Sequence, residues 1–290
     1  FIRHDKTVAT TPPPGHRPWR AAASWLPDSH PCHAGDVSAG VQRQPAPAWR
    51  TIMIGGAQSG PPALEIVRTG TQLRSVPLVP QIRLHQASDP IGLWQRTELA
   101  AGRTGLDPPF WAFAWAGGQA LARYLLDHPE AVRGRRVIDI ASGSGLVAIA
   151  AARAGAEAVT AYDIDPLATA AISMNAAANG VTVLAVCADV LDQDGPPSPG
   201  TDLVLAGDAF YERDLATRVM RFLERGHARG TAVLAGDCGR AYLPRDRLTP
   251  LATYDVPGLR LLEDTDIKRT TIWAPLARLR SLYGIAPVSS

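Results

Sequence analysis

Three features of the sequence predict an α/β fold with a doubly wound, mostly parallel sheet of seven strands, closed by a C-terminal antiparallel hairpin. From Gly117 onward, short β-branched runs alternate with longer stretches of helical period, the rhythm of βα units in a parallel sheet. Glycines such as Gly155 and Gly180 punctuate the ends of the helical stretches, where a left-handed residue closes a helix at little steric cost. Near the C-terminus two strand-like runs follow one another with no helix between them, which favours an antiparallel pair. The plan is Rossmann-like, with one irregular edge.

Taken in order, residues 117–126 carry apolar side chains at 121, 125 and 126 and stop before Pro129, so they read as a helix. Residues 137–140 are the first strand, and a helix over 146–154 follows. A strand at 158–162 leads into a helix over 166–179. Pro166 suits that helix start because its missing N–H would be unpaired there anyway. Strands are read at 181–187 and 203–206, a helix over 212–225, and a strand at 231–235. The hairpin takes 251–256 and 269–273. Between 64 and 98 the run Leu78-Val79-Pro80-Gln81-Ile82-Arg83-Leu84 alternates, but prolines at 77, 80 and 90 interrupt it. A strand or two with a connecting loop is the expectation. The organisation that follows is a head over 1–52, an extension over 53–106 packing on the main domain, and a catalytic domain over 107–290.

The head holds Thr11-Pro12-Pro13-Pro14-Gly15 and Gln44-Pro45-Ala46-Pro47 without sustained periodicity, a composition expected to be disordered. The first methionine is Met53, so a natural start there, with the head as an addition, is one expectation. An Arg-rich transit peptide is the rival, weakened by Asp5, Asp28 and Asp36. The chain is 46% apolar and 19% charged, with a net charge of +2. That balance fits a globular protein and excludes the concentrated basic stripe of a nucleic-acid binder. Cys32, Cys187 and Cys238 are scattered; they make neither a disulfide framework nor a metal site, and a reducing, cytoplasmic setting is expected. No apolar run approaches the roughly 20 residues that span a bilayer.

The chemistry begins at Val137-Ile138-Asp139-Ile140-Ala141-Ser142-Gly143-Ser144-Gly145, a strand, a carboxylate and a glycine turn opening a helix. Glycine lets the backbone approach a ligand, and a helix N-terminus offers free N–H groups. By itself this is equally an ordinary βα turn or a nicotinamide site. However, the dinucleotide pattern wants a third glycine where Ala148 stands, and Asp139 suits a cofactor bearing an ammonium group. Asp163, in Tyr162-Asp163-Ile164-Asp165-Pro166, falls about 20 residues after the glycines, where an acid accepts ribose hydroxyls. Capping of the next helix is the plainer alternative, and Asp165 is expected to take that task. In Cys187-Ala188-Asp189-Val190 the acid can accept from an adenine amino group while a neighbouring N–H serves the ring. An aspartate satisfying its own loop is the alternative. All three acids fall at carboxyl ends of strands, where open α/β sheets bind ligands. A doubly wound sheet ending in an antiparallel hairpin is also the plan of class I methyltransferases, which use S-adenosyl-L-methionine (SAM).

Phe110-Trp111-Ala112-Phe113-Ala114-Trp115-Ala116-Gly117-Gly118-Gln119, Gly207-Asp208-Ala209-Phe210-Tyr211 and Gly236-Asp237-Cys238-Gly239-Arg240 closely resemble the electron transfer flavoprotein β-subunit lysine methyltransferase family, over about residues 78–275. Ala116 and Cys238 stand where relatives often have proline, a departure that bears on loop shape only. The resemblance implies SAM as cofactor and lysines of that flavoprotein subunit as acceptor. Nicotinamide-like nitrogens and a ribosomal protein are the alternatives, as labels on bacterial relatives suggest. It maps a D-x-x-Y element onto Asp208 and Tyr211 as catalytic residues. Cofactor contacts are then expected from Trp111, Trp115, Asp139, Gly143, Gly145, Asp163, Ile164, Asp189, Val190 and Gly207, with no metal. Free lysine has a pKa of about 10.4, so the acceptor must be deprotonated and aimed. Asp208 is expected to hold the incoming ammonium, with Tyr211, Trp111 and Trp115 offering aromatic faces. Trp111, Phe113 and Trp115 as plain core is the alternative, and Asp208 is poorly spaced to cap the helix near Glu212. A non-catalytic SAM-binding module and a nicotinamide dehydrogenase are the remaining classes.

Overall fold

The computed structural model describes residues 61–198, 200–258 and 267–276; the expectations for the head fall outside them. Two helices precede the main sheet where only strands and a loop were expected: α1 (Pro61–Gly70) and α2 (Pro90–Ala101). The signals for α2 are local. The Asp89 side chain accepts from Gly92 N, Pro90 is the first helical residue, and Gly102 closes the helix in the left-handed conformation at φ 64°. The proline taken for a breaker is a starter, because only a helix interior needs its missing N–H. Between the helices, β1 (Gln72–Ser75) and β2 (Arg83–Gln86) pair antiparallel. The alternating run is a strand only at its end. Its first part is a turn, with Val79 N bonded to Val76 O and Ile82 N to Val79 O, which buries Val76, Val79 and Ile82 at a spacing of three. The outer edge of β2 is finished by a helix: Arg83 N and His85 N donate to Asn179 Oδ1 and Asn175 Oδ1.

α3 (Ala116–Asp127) leads into the sheet. Its elements are β3 (Arg136–Ile140), α4 (Leu146–Arg153), β4 (Ala158–Asp163), α5 (Pro166–Ala178), β5 (Leu184–Cys187), β6 (Leu203–Gly207), α6 (Arg213–Ala228), β7 (Ala232–Asp237), β8 (Leu248–Pro257) and β9 (Ile267–Pro275). The spatial order is β5-β4-β3-β6-β7-β9-β8. Five strands are parallel, and β9 runs antiparallel to both β7 and β8. The expected doubly wound sheet with a hairpin edge is therefore present. Chain direction reverses its winding between β3 and β6, which opens a crevice at their carboxyl ends, the usual ligand position in such sheets.

Both faces of the sheet are covered, which explains its near-continuous apolar strands. Val137, Leu203, Leu205 and Leu234 face one cluster with α3 and α4, while Ile138, Val204, Ala206 and Val233 face the other with α6. The first turn of α3 lies directly on the sheet through glycines. A Cβ at Gly117 would stand 2.3 Å from Gly236 O, and one at Gly207 would stand 3.1 Å from Gly118 Cα. Backbone contact this close needs residues without side chains, and it brings the start of α3 to the tips of β6 and β7.

Candidate active site

The loop after β3 turns through left-handed conformations at Ala141 (φ 47°), Gly143 (φ 54°) and Gly145 (φ 79°). Gly145 also sits against α5, since a Cβ there would press on Ile172 at 3.2 Å. Asp139 lies beneath the turn, 1% exposed. Its Oδ2 accepts from the Ser142 hydroxyl and from Ala148 N, the latter at 3.2 Å, whereas Oδ1 has no partner. Burial raises its carboxyl to about 7, against the lowering pull of those two donors. An acid buried without a cation is unfavourable unless a ligand brings one, so an amino-acid ammonium fits this position.

Asp163 braces the same loop from β4. Its Oδ2 accepts from Gly143 N at 2.8 Å and its Oδ1 from Asp165 N at 3.0 Å. Burial raises its carboxyl despite these bonds. Asp165 caps α5 by accepting from Leu167 N, as expected. Ile164 between them is 68% exposed, an apolar side chain placed in the open beside Asp163. Asp189 does what the plainer alternative foresaw, and more: Oδ1 accepts from Leu191 N of its own loop, and Oδ2 takes Arg218 Nη2 at 2.8 Å. Val190 beside it is buried.

The loop after β6 forms the other wall. Asp208 has a left-handed backbone (φ 55°) and is 6% exposed; aspartate is among the few residues that tolerate this conformation. The sequence suggested a carboxylate waiting for an ammonium, but the structure shows an occupied one. Oδ1 accepts from Arg240 Nε and Nη2, at 3.2 and 3.0 Å, and Oδ2 accepts from Gly118 N at 2.8 Å in the first turn of α3. The last bond supplies an acceptor to a helix start whose own cap residue, Trp115, provides none. The cap of α6 is Glu212, so Asp208 is free of that task. Gly207, expected against the cofactor, has its lack of a side chain explained by the contact with Gly118.

The aromatic residues separate into core and rim. Trp111 is 2% exposed in a 3-10 turn at Phe110–Ala112, with Nε1 unpartnered, and its Cα passes 3.8 Å from where a Cβ of Gly143 would be. Trp115 is half-buried, donates from Nε1 to Phe110 O, and lies 5.6 Å from the Arg240 guanidinium. Phe110 and Tyr211 are in ring contact at 5.6 Å, and Phe110 also meets Trp115. Burial pushes the Tyr211 hydroxyl up to about 12, with Asp163, Asp107 and Glu212 adding to it, so it stays protonated. Phe110, Asp237 and Arg240 carried no role in the sequence reading. Asp237 Oδ1 accepts from Gly239 N and Arg240 N, and its Oδ2 is unpartnered. Burial raises its carboxyl to about 6, with Asp208 adding to the rise. The available signal was the turn motif Asp-x-Gly-Arg at a strand end; what it could not show was the side chain that Arg240 reaches.

This sheet order, with a glycine turn and an unpaired acid at the β3 tip, a second acid at the β4 tip and an arginine-paired acid after β6, is that of a class I, SAM-dependent methyltransferase. A family model described as ribosomal protein L11 methyltransferase (PrmA) matches residues 120–207. A protein of Xenopus laevis named electron transfer flavoprotein beta subunit lysine methyltransferase is 39% identical over 212 residues, covering 70% of this chain and 83% of the relative. The Mus musculus protein of that name is 36% identical over 234 residues, 78% of this chain and 88% of its own. A ribosomal protein L11 methyltransferase of Exiguobacterium sp. matches less, 31% over 150 residues, 50% of this chain and 44% of that one. The chain belongs to the electron transfer flavoprotein beta subunit lysine methyltransferase family.

Proposed function

We propose that this enzyme methylates the side-chain nitrogen of lysines in a protein, with the electron transfer flavoprotein β-subunit as acceptor. The observation that carries the reading is the rim. Phe110 and Tyr211 touch each other beside the Asp208–Arg240 pair and are 38% and 37% exposed, so a long side chain on a folded partner can reach the site without its backbone entering. A small pyridine-type acceptor calls for a closed pocket, and the weaker ribosomal match makes that acceptor the poorer choice.

In this reading Asp139 takes the cofactor's ammonium, the loop through Gly143 and Gly145 admits its amino-acid part, and Asp163 takes the ribose hydroxyls. Ile164 covers the adenine, and the Val190 N–H and the Asp189 carboxylate read its edge. When bound, the cofactor supplies a methyl group made electrophilic by a sulfonium. Phe110, Tyr211 and Trp115 guide the acceptor's aliphatic stem and cationic tip. Asp208 orients the nitrogen by accepting an N–H bond, which favours attack through alignment. Tyr211 acts through its ring face, because its hydroxyl stays protonated and is not available as a base. Nucleic acid is not a partner in this reading, given a net charge of +2. Cys187 and Cys238 are free thiols, in keeping with a reducing, cytoplasmic setting. Among the described residues no helix is long and apolar enough to cross a membrane.

The test is incubation with labelled SAM and purified β-subunit, followed by mass spectrometry. Methyl-lysine on the subunit is the expected result. SAM binding with no methyl-lysine would overturn the proposal.

A further inference from the structure

Asp208 and Arg240 are joined before an acceptor arrives. Two guanidinium nitrogens converge on one carboxylate oxygen, with side-chain exposures of 7% for Asp208 and 23% for Arg240. The arginine is held from behind as well, by its own N–H on Asp237 Oδ1 at 2.8 Å and by its position over Trp115. An exposed pair of this kind would count for little. Here, water is largely excluded and each charge acts strongly on a third group that enters.

The third group is the acceptor nitrogen, and deepening the lysine reading proposed above requires asking which of its forms the site prefers. A bare carboxylate favours the charged form of an amine beside it. That form has no lone pair and cannot accept a methyl group. A guanidinium acts the other way. We propose that Arg240 is a positioning residue that neutralises Asp208, so that lysine enters the site as the free amine and leaves its proton to solvent. Asp208 then serves as a hydrogen-bond acceptor for a neutral N–H instead of as a counter-ion.

Other charged or titratable groups surround the pair. Asp237 and Cys238 come from the end of β7, Lys268 from β9 near Cys238, and Tyr211 and Glu212 from the loop after β6; Asp163 faces Tyr211 across the cleft. The start of α3 contributes N–H groups and Trp115 but no titratable side chain. With Arg240 removed, Asp208 would meet the acceptor without a guanidinium on it.

The experiment measures protons released when the β-subunit binds to the enzyme without SAM, by calorimetry at pH 8 in buffers of different ionisation enthalpy. The wild type is expected to release about one proton per lysine bound, since free lysine is charged at that pH. Arg240→Gln is expected to release far less, and Arg240→Lys close to the wild-type amount. The Asp208→Asn/Arg240→Gln double variant removes both charges of the pair, so neither is left without the other. It covers the case in which the single variant misfolds, and it is expected to release more than Arg240→Gln. In the methylation assay, the rising limb of kcat, which follows ionisations within the acceptor complex, should move about one pH unit to the alkaline side for Arg240→Gln, as a charge change at this range implies. Wild-type binding without proton release would overturn the proposal, as would equal release by Arg240→Gln or a tighter acceptor complex with an unshifted profile. Proton release by a wild type that transfers no methyl group would defeat lysine methylation while leaving the role of Arg240 standing.

Discussion

Asp139 and Asp208 stand at the tips of neighbouring strands, both almost wholly buried, and the protein treats them in opposite ways. Asp139 has a hydroxyl and one backbone N–H for company, and no cation. Asp208 has a guanidinium locked onto it. The same residue type therefore does two jobs within one cleft. An acid left short of positive charge receives a cation from a ligand, whereas an acid already paired offers only a directed lone pair. In the proposed reading the cofactor side attracts charge and the acceptor side refuses it, which is the division a methyl transfer to a neutral amine calls for.

The sharpest way to break this contrast is at Asp139. Asp139→Ala is expected to weaken SAM binding by on the order of a hundredfold or more, as loss of a buried charge-assisted partner implies; calorimetry giving an unchanged Kd would dissolve the comparison. Asp208→Asn should leave that Kd nearly intact while lowering kcat about a hundredfold, through lost alignment. Equal damage to cofactor binding would show that the two walls are not separate. Gly117→Ala tests the scaffold, since its methyl would strike Gly236 O and the Asp208 carboxylate. A loss of about 2–3 kcal/mol in urea unfolding is expected for overpacking of this kind.

A pH test comes next in size. The folded apo protein holds the Asp139 proton up to about 7, against an ordinary aspartate value near 3.9 when unfolded. Between those values the folded state binds more protons, so this group's contribution to stability falls as pH rises through the window and levels off above it. Asp139→Asn should flatten that slope in urea titrations across pH 4–8 while losing SAM. If Asp139 holds the cofactor's ammonium as proposed, the cofactor needs the ionised acid, and in the wild type its affinity is expected to drop about tenfold per pH unit below 7. The smallest effect is Tyr211→Phe, expected to cost no more than about threefold in kcat/KM because the ring face remains. A loss approaching that of Asp208→Asn would assign the hydroxyl a part in the chemistry.

Much of this was legible without coordinates because it is written in local order. Strand and helix periods, Pro166 and Asp165 at one helix start, and glycines after two helix ends all act within a few residues, and each has its place in the fold. The helix α2 escapes the sequence pattern for an equally local reason: Asp89-Pro90 is a helix opening, and prolines spaced through a short run hide it. Asp139 and Asp163 could be ranked as candidates because they fall at the ends of apolar strands, whereas Asp208 stood out only through the family resemblance.

Partners were another matter. Sequence order cannot tell that Arg240 reaches back 32 residues to Asp208, that Arg218 takes Asp189, or that Asp139 alone among these keeps an oxygen without a donor. By itself the sequence determined the strands, the caps and the acids at strand ends, since those depend on near neighbours and steric preference. Tertiary structure alone decided which acid is paired and which is open. Electrostatic character is set by distances across the crevice, and those exist only once glycines let α3 settle on the sheet and β6 and β7 bring their loops together.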